Sequence, residues 1–299
     1  MKKVLEIQNL TKKFGKLTAV ENLSFHVEKG NIYGLLGPNG SGKSTTLGVI
    51  LNVTNPSSGT WKWFDENPSV ESLKRIGAII ERPNFYPYLS AERNLEIVAK
   101  IKEVDRSKID EKLKLVGLLD RKKDKFSTFS LGMKQRLAIA GALLNDPEVL
   151  ILDEPTNGLD PQGIIQIREL IQTIAATGTT IILASHLLDE VEKVCSHVVI
   201  LEKGKTLYCG PVDEMVSNHG FLELASDNIT LLQQELNNLA YFSHTKEENG
   251  LIKAFLNEEV NPKEINKLLF EKGIILHHIA KRKDSLEQQF LQMTKNDRA

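Results

Sequence analysis

Cysteine is almost missing from this chain: the 299 residues hold two, Cys195 and Cys209. They stand at no metal-ligand spacing and read as packed, reduced thiols of a cytoplasmic protein. Long apolar runs are missing as well; none approaches the roughly 18–20 residues that span a bilayer. At the start, "MKKVLEIQNL" carries two lysines, but Glu6 and Gln8 interrupt any secretion-signal core. Excess charge of either sign is missing too, with 38 Lys and Arg against 39 Asp and Glu. That balance excludes a general attraction to nucleic acid and leaves only a local basic patch open. There is no internal repeat and no low-complexity segment. The chain is expected to be soluble by itself, so a membrane role would need a partner.

What is present suits ordinary folded cores: 41% hydrophobic, 26% charged, and a length that suggests two domains. The first two thirds alternates apolar β-like runs ("NIYGLLG", "EVLILDEP", "TTIILASH") with helical ones such as "GIIQIRELIQTIAATG". That alternation predicts a mostly parallel sheet covered on both faces. "VLEIQNL" and "AVENLSFHVEKG" instead alternate polar and apolar residues, as half-buried antiparallel strands do. From about 90 to 144 three helical segments follow one another without a β run, which predicts a helical subdomain inserted into the α/β core. After "GPVDEMVSNHG" the texture changes. The pattern over 216–299 reads β-α-β-β-α-β-α, an α+β unit whose first six elements have the order of a ferredoxin-like split βαβ domain.

"GPNGSGKST", Gly37 to Thr45, fits G-x-x-x-x-G-K-[ST] between a predicted strand and a predicted helix. Gly37, Gly40 and Gly42 let the backbone curl so that N–H groups point at phosphate oxygens. Lys43 can reach the outer phosphates and the Ser44 hydroxyl can ligate Mg²⁺. Asn39 and Thr45 complete the lining. "VLILDEP" ends a buried strand in Asp153, a carboxylate at the edge where such sheets bind ligands. Asp153 can hold Mg²⁺ through water, and Glu154 can polarise the attacking water as a general base. His186 ends a further strand, where it suits a γ-phosphate contact; a satisfied structural histidine is the plainer reading. "FSLGMKQR" starts a helix with Ser130 as N-cap, and its unpaired N–H groups are ready for an anion.

Taken in order, "GPNGSGKST", "FSLGMKQR", "LILDEP", "NGLDP" and "ASH" resemble the ATP-binding subunit of ABC transporters over roughly residues 3–215. The wording of "RIGAIIERPNFYPYLSAERNL" and "FSLGMKQRLAIA" is similar to the bacitracin-resistance and lantibiotic-immunity branch, which comprises exporters. The resemblance implies a P-loop NTPase cassette over 1–215 and an accessory domain over 216–299, with ATP and Mg²⁺ as ligands. It also implies two cassettes packed head to tail, identical or paralogous. Ser130 and the N–H of Gly132 would then touch the γ-phosphate of ATP bound to the partner. Phe14 falls at the aromatic that stacks on adenine, and Asp160 in the loop that communicates across the dimer. His186 falls at the switch histidine. A transmembrane permease is the further partner, which places the chain at the inner face of the cell membrane; no nucleic acid is expected.

The chain departs from the family pattern at Leu131, Met133 and Glu81. Leu131 and Met133 replace the first glycine and the glutamine of the signature LSGGQ, and Glu81 replaces the glutamine that senses Mg²⁺. Glutamate can still ligate the ion, at the expense of a negative charge near the γ-phosphate. Phe85, Tyr86 and Tyr88 have two open readings, a surface for a permease helix or packing under the helical subdomain. Asp160 can equally be a helix N-cap before Pro161. The alternative function is a non-transport ABC ATPase acting on nucleic acid or ribosomes. Such relatives carry long coiled coils, large extra domains or two fused cassettes, and this chain has none of these. A small-molecule kinase or GTPase has no place for "FSLGMKQR", "LILDEPTNGLD" and "LASH" together.

Overall fold

The computed structural model describes residues 2–81, 83–215, 220–282 and 285–296. Two compact units emerge, Met1–Gly210 and Pro211–Ala299. The division expected after residue 215 falls beside 216–219, which lie outside the described residues.

The first unit opens with strands β1 (Lys3–Phe14), β2 (Leu17–Glu28) and β3 (Ile32–Leu36), then helix α1 (Lys43–Ile50). Next come β4 (Ser58–Trp63), α2 (Val70–Lys74) and β5 (Ile76–Ile79), then the helical stretch α3 (Ala91–Ile101), α4 (Lys108–Leu115) and α5 (Leu131–Leu143). The chain returns to the core through β6 (Val149–Asp153), α6 (Pro161–Ala176), β7 (Thr180–Ser185) and α7 (Leu188–Glu192). Strands β8 (His197–Glu202) and β9 (Lys205–Pro211) close it.

These strands form two sheets. The order β2-β1-β4 is antiparallel, and β5-β6-β7-β3-β8-β9 is the larger sheet, parallel from β5 to β8. The alternating N-terminal strands bury one face, and their Leu5, Ile7, Val20 and Trp63 join Leu35, Leu47 and Ile151 in one core. Trp63 donates its ring N–H to Ile50 O at 2.7 Å, which ties β4 to the end of α1. Strands β6 and β7 are buried at every residue, as continuous Val/Ile/Leu runs covered on both faces require.

The second unit holds α8 (Val212–Met215), β10 (Phe221–Ser226), α9 (Ile229–Asn237), β11 (Phe242–Glu248), β12 (Leu251–Leu256), α10 (Pro262–Glu271), β13 (Leu276–Arg282) and α11 (Leu286–Asn296). Its four strands are antiparallel in the order β11-β12-β10-β13. Asn249 and Gly250, both at positive φ, make the tight turn between β11 and β12, as Asn-Gly does in two-residue hairpins. Asn228 and Asn261 cap α9 and α10, whose Leu232, Leu236, Ile265 and Leu269 cover Leu222, Leu224 and Ile252.

The helical stretch is pinned at both ends of α5. At its start the Ser130 hydroxyl accepts from Met133 N–H at 3.3 Å. At its end Lys102 Nζ donates to Ala142 O (2.9 Å) and Asn145 Oδ1 (2.7 Å), occupying a carbonyl that the helix leaves unpaired. Burial lowers the Lys102 ammonium from 10.5 to about 8. Between those two values the unfolded chain keeps a proton that the folded chain has released, so stability rises with pH across the window. Urea midpoints of wild type and Lys102→Met, compared at about pH 8 and about pH 10, should therefore move in favour of wild type at the higher pH. A constant difference would contradict this.

Candidate active site

The parallel register gathers the candidate residues at one sheet edge. Leu36 pairs with Ser185, and Asp153 pairs with Ala184. The loop after β3, the acids ending β6 and the histidine after β7 therefore emerge side by side, at the carboxyl ends of the strands.

Between β3 and α1 the chain curls tightly. Gly37 has φ +151°, and a Cβ there would stand 2.2 Å from Leu201 O; Gly42 has φ +107°, and its Cβ would stand 2.6 Å from Ala19 O. No other residue fits at these two points. The first turn of α1 carries no acidic side chain, so nothing in the turn itself would repel an anion at its free N–H groups. The loop borders a cleft of about 480 Å³ whose lining includes Phe14, Asn39, Gly40, Gly42, Lys43, Ser44, Thr45 and Glu154. Lys203 also lines it and was not anticipated from the sequence; its only signal is the "EKGK" turn after β8, where it sits at φ +48°. Phe14 stands at the rim, half exposed, with the Lys12 ammonium 4.7 Å from its ring centre.

A chain of charge crosses the site. Buried Lys43 Nζ donates to Gly37 O (2.7 Å) and Pro38 O (3.3 Å) and lies 3.5 Å from Glu154 Oε1. The other oxygen, Glu154 Oε2, is 2.8 Å from His186 Nδ1. Glu154 holds φ +48°, a conformation that costs a residue with a side chain roughly 1–2 kcal/mol. Its N–H donates to Ala184 O at 2.9 Å, and its own carbonyl accepts from Asn157 N–H at 3.1 Å. Strain of this kind is found where a side chain must point at chemistry.

Asp153 is only 3% exposed, and its Oδ1 has no hydrogen-bond partner. Burial pushes its carboxyl above the usual range, and the Glu154 and Glu81 charges add to that; the Ser44 hydroxyl and Lys43 act the other way. A buried carboxylate oxygen without a partner is costly by itself and suits a cation. Among the described residues no three His, Cys, Asp or Glu side chains are arranged to hold a metal. A hard divalent ion would be completed by Ser44 and by phosphate oxygens, as Mg²⁺ sites on nucleotides are. Glu81 is exposed, at φ +63°, on the Asp153 side of the site.

Ser130, Gly132 and Asp160 do not line this cleft. They border a second groove of about 320 Å³, together with Leu131, Met133, Arg136 and Gly158. Asp160 caps α6 by accepting from Gly163 N–H at 3.0 Å, with Pro161 in the first turn. A Cβ on Gly132 would meet nothing closer than Leu159 Cδ2 at 3.9 Å. The three aromatics divide: Phe85 packs edge-on against Phe126 at 5.3 Å, while Tyr86 and Tyr88 stand exposed, 5.9 Å apart. Buried Asn94, also not anticipated from the sequence, fixes their loop by accepting from Tyr86 N–H at 2.8 Å and donating to the carbonyls of Tyr86 and Ser90.

The sequence family described as "ABC transporter" matches residues 20–157. The bacitracin transport ATP-binding protein BcrA of Bacillus licheniformis is 42% identical, over 98% of this chain and 98% of its own. The lantibiotic transport ATP-binding protein SrtF of Streptococcus pyogenes is 43% identical, over 68% of this chain and 89% of its own. Among solved structures, the dimeric post-hydrolysis form of the ATP-binding cassette MJ0796 bound to ADP and Pi is similar with a TM-score of 0.61. It is 27% identical, over 69% of this chain and 98% of that one. With its phosphate loop, paired acids and histidine on one sheet edge, the chain belongs to the ABC transporter family, as an ATP-binding subunit that hydrolyses ATP.

Proposed function

We propose that this subunit powers the export of a peptide antibiotic of the bacitracin or lantibiotic kind, through a separate membrane permease. The names of the relatives support that substrate class. The mechanism rests on one observation: the phosphate-loop cleft and the Ser130–Asp160 groove are two separate sites on one chain. A second cassette, identical or paralogous, lets both act on one nucleotide, with the groove of each subunit closing on ATP in the cleft of the other. The dimeric relative supports such a pairing. ATP then forms part of the interface and favours the closed dimer, and hydrolysis removes that preference.

Within the cleft, Phe14 stacks on the base, and the loop N–H groups with Lys43 hold the phosphates. Ser44, Asp153 and Glu81 would hold Mg²⁺, whose part is to neutralise charge on the phosphate oxygens. Glu154 takes a proton from the attacking water as the new P–O bond forms and the bond to ADP breaks. His186, hydrogen-bonded to Glu154, orients it and faces the γ-phosphate. Lys43 turns from Glu154 to the phosphates when ATP enters, which frees the carboxylate for the water. The exposed Tyr86 and Tyr88 form the docking surface for the permease, which holds the chain at the cytoplasmic face of the membrane. The first unit, through Gly210, acts as the cassette, and the second, from Pro211, as a dimerisation or regulatory module.

Glu154→Gln should lower turnover about 10²- to 10⁴-fold, the usual worth of a general base. ATP binding should persist, and an ATP-bound dimer should accumulate in light scattering. Normal turnover would remove Glu154 from this role. Gly132→Ala separates the groove from the fold: the chain has room for the methyl group, and the helix gains up to about 1 kcal/mol from alanine. Its melting temperature should hold or rise while its ATPase falls; unchanged ATPase would mean that no nucleotide closes tightly on the Gly132 Cα.

A further inference from the structure

Leu131 is the first residue of α5 and is 46% exposed, in the groove that also holds Ser130, Gly132 and Asp160. Its side chain is not idle there. Leu131 Cδ2 lies only 3.3 Å from where a Cβ on Gly158 would stand, and Leu159 Cδ2 lies 3.9 Å from where one on Gly132 would stand. Each leucine faces the other segment's glycine, so the head of α5 and the 157–160 segment interlock, large against small. The segment they clamp is short and already constrained. Asn157 N–H donates to Glu154 O and Leu159 N–H to Thr156 O, and Asp160 caps α6. Its one glycine, Gly158, sits at φ +77°, and Leu131 bears on that point. A glycine at 131 would leave the contact unmade.

The geometry assigns Leu131 as a positioning residue that locks the 157–160 segment to the head of α5. Ser130, Gly132 and Asp160 then meet the partner's nucleotide as one preformed surface. Preorganised groups of this kind lower the ordering entropy lost when the dimer closes. The catalytic consequence rests on the shared-nucleotide reading above, whereas the lock itself belongs to the single chain. The lock also gives this site an apolar means of holding its shape at a position where the related signature has glycine.

Leu131→Ala removes the contacting atoms and keeps a strong helix former at an exposed position; Leu131→Met keeps an apolar side chain of similar reach. Amide hydrogen exchange in the nucleotide-free chain reads the lock directly. Exchange at residues 157–160 should rise several-fold in Leu131→Ala and return towards wild type in Leu131→Met. In steady-state assays Leu131→Ala should lose about 5- to 10-fold in kcat. The binding of a fluorescent ATP analogue to the monomer should not change, and Leu131→Met should restore kcat. Unchanged exchange at 157–160 overturns the assignment whatever the ATPase does, and raised exchange with unchanged kcat overturns its catalytic part. If wild type itself forms no ATP-dependent dimer, the shared-nucleotide reading fails instead, and the exchange result still decides the lock.

Discussion

Backbone hydrogen bonding in register between β3, β7 and β6 decides where each charged group of the site stands. Leu36 beside Ser185 and Asp153 beside Ala184 bring three distant segments to one edge. A slip of one residue in either pair would turn the strand's buried side chains to the opposite face and carry Asp153 or His186 away from Lys43. The fully buried β6 and β7 make such a slip costly, because every residue of both strands has a packed environment to lose. The hydrophobic core thus acts as the positioning device for the chemistry.

Charge buried at that edge must be balanced, and the balance explains the local geometry. Lys43 is satisfied by two carbonyls and Glu154, and Glu154 in turn by Lys43 and His186. Asp153 is the group left without full compensation. Unpaired buried charge destabilises a fold, so its presence marks the point where a cation and phosphates bring free energy to the folded state. Stability given up at Asp153, and backbone strain at Glu154, are consistent with selection for nucleotide chemistry rather than for a rigid core.

Much of this was legible in the sequence because the signals are local. The phosphate loop is a contiguous motif whose glycines the backbone demands. Asp153 and His186 end apolar runs, and Ser130 and Asp160 stand before helices as caps. Other features were illegible for physical reasons. β5 is four residues long, too short for alternation to register, and in β4 only Trp63 is fully buried. The Lys43–Glu154–His186 chain joins three segments that only the sheet register brings together. Both plain and functional readings of Asp160 stay in force, since the side chain that caps α6 also borders the second groove. Phe85, Tyr86 and Tyr88 read as one cluster yet divide, Phe85 half-buried against Phe126 and the tyrosines exposed, because Phe126 and Asn94, which hold their loop, come from elsewhere in the chain.

The central claim is that one nucleotide is read by two chains. Lys43→Ala damages the phosphate cleft and leaves the groove intact, while Ser130→Arg damages the groove and leaves the cleft intact. Each variant alone should be inactive. Mixed, they build a dimer with one doubly damaged site and one intact site, so ATPase activity should reappear on mixing. Two variants that stay silent together, each still binding its partner, would contradict the claim and place both halves of the site within a single chain.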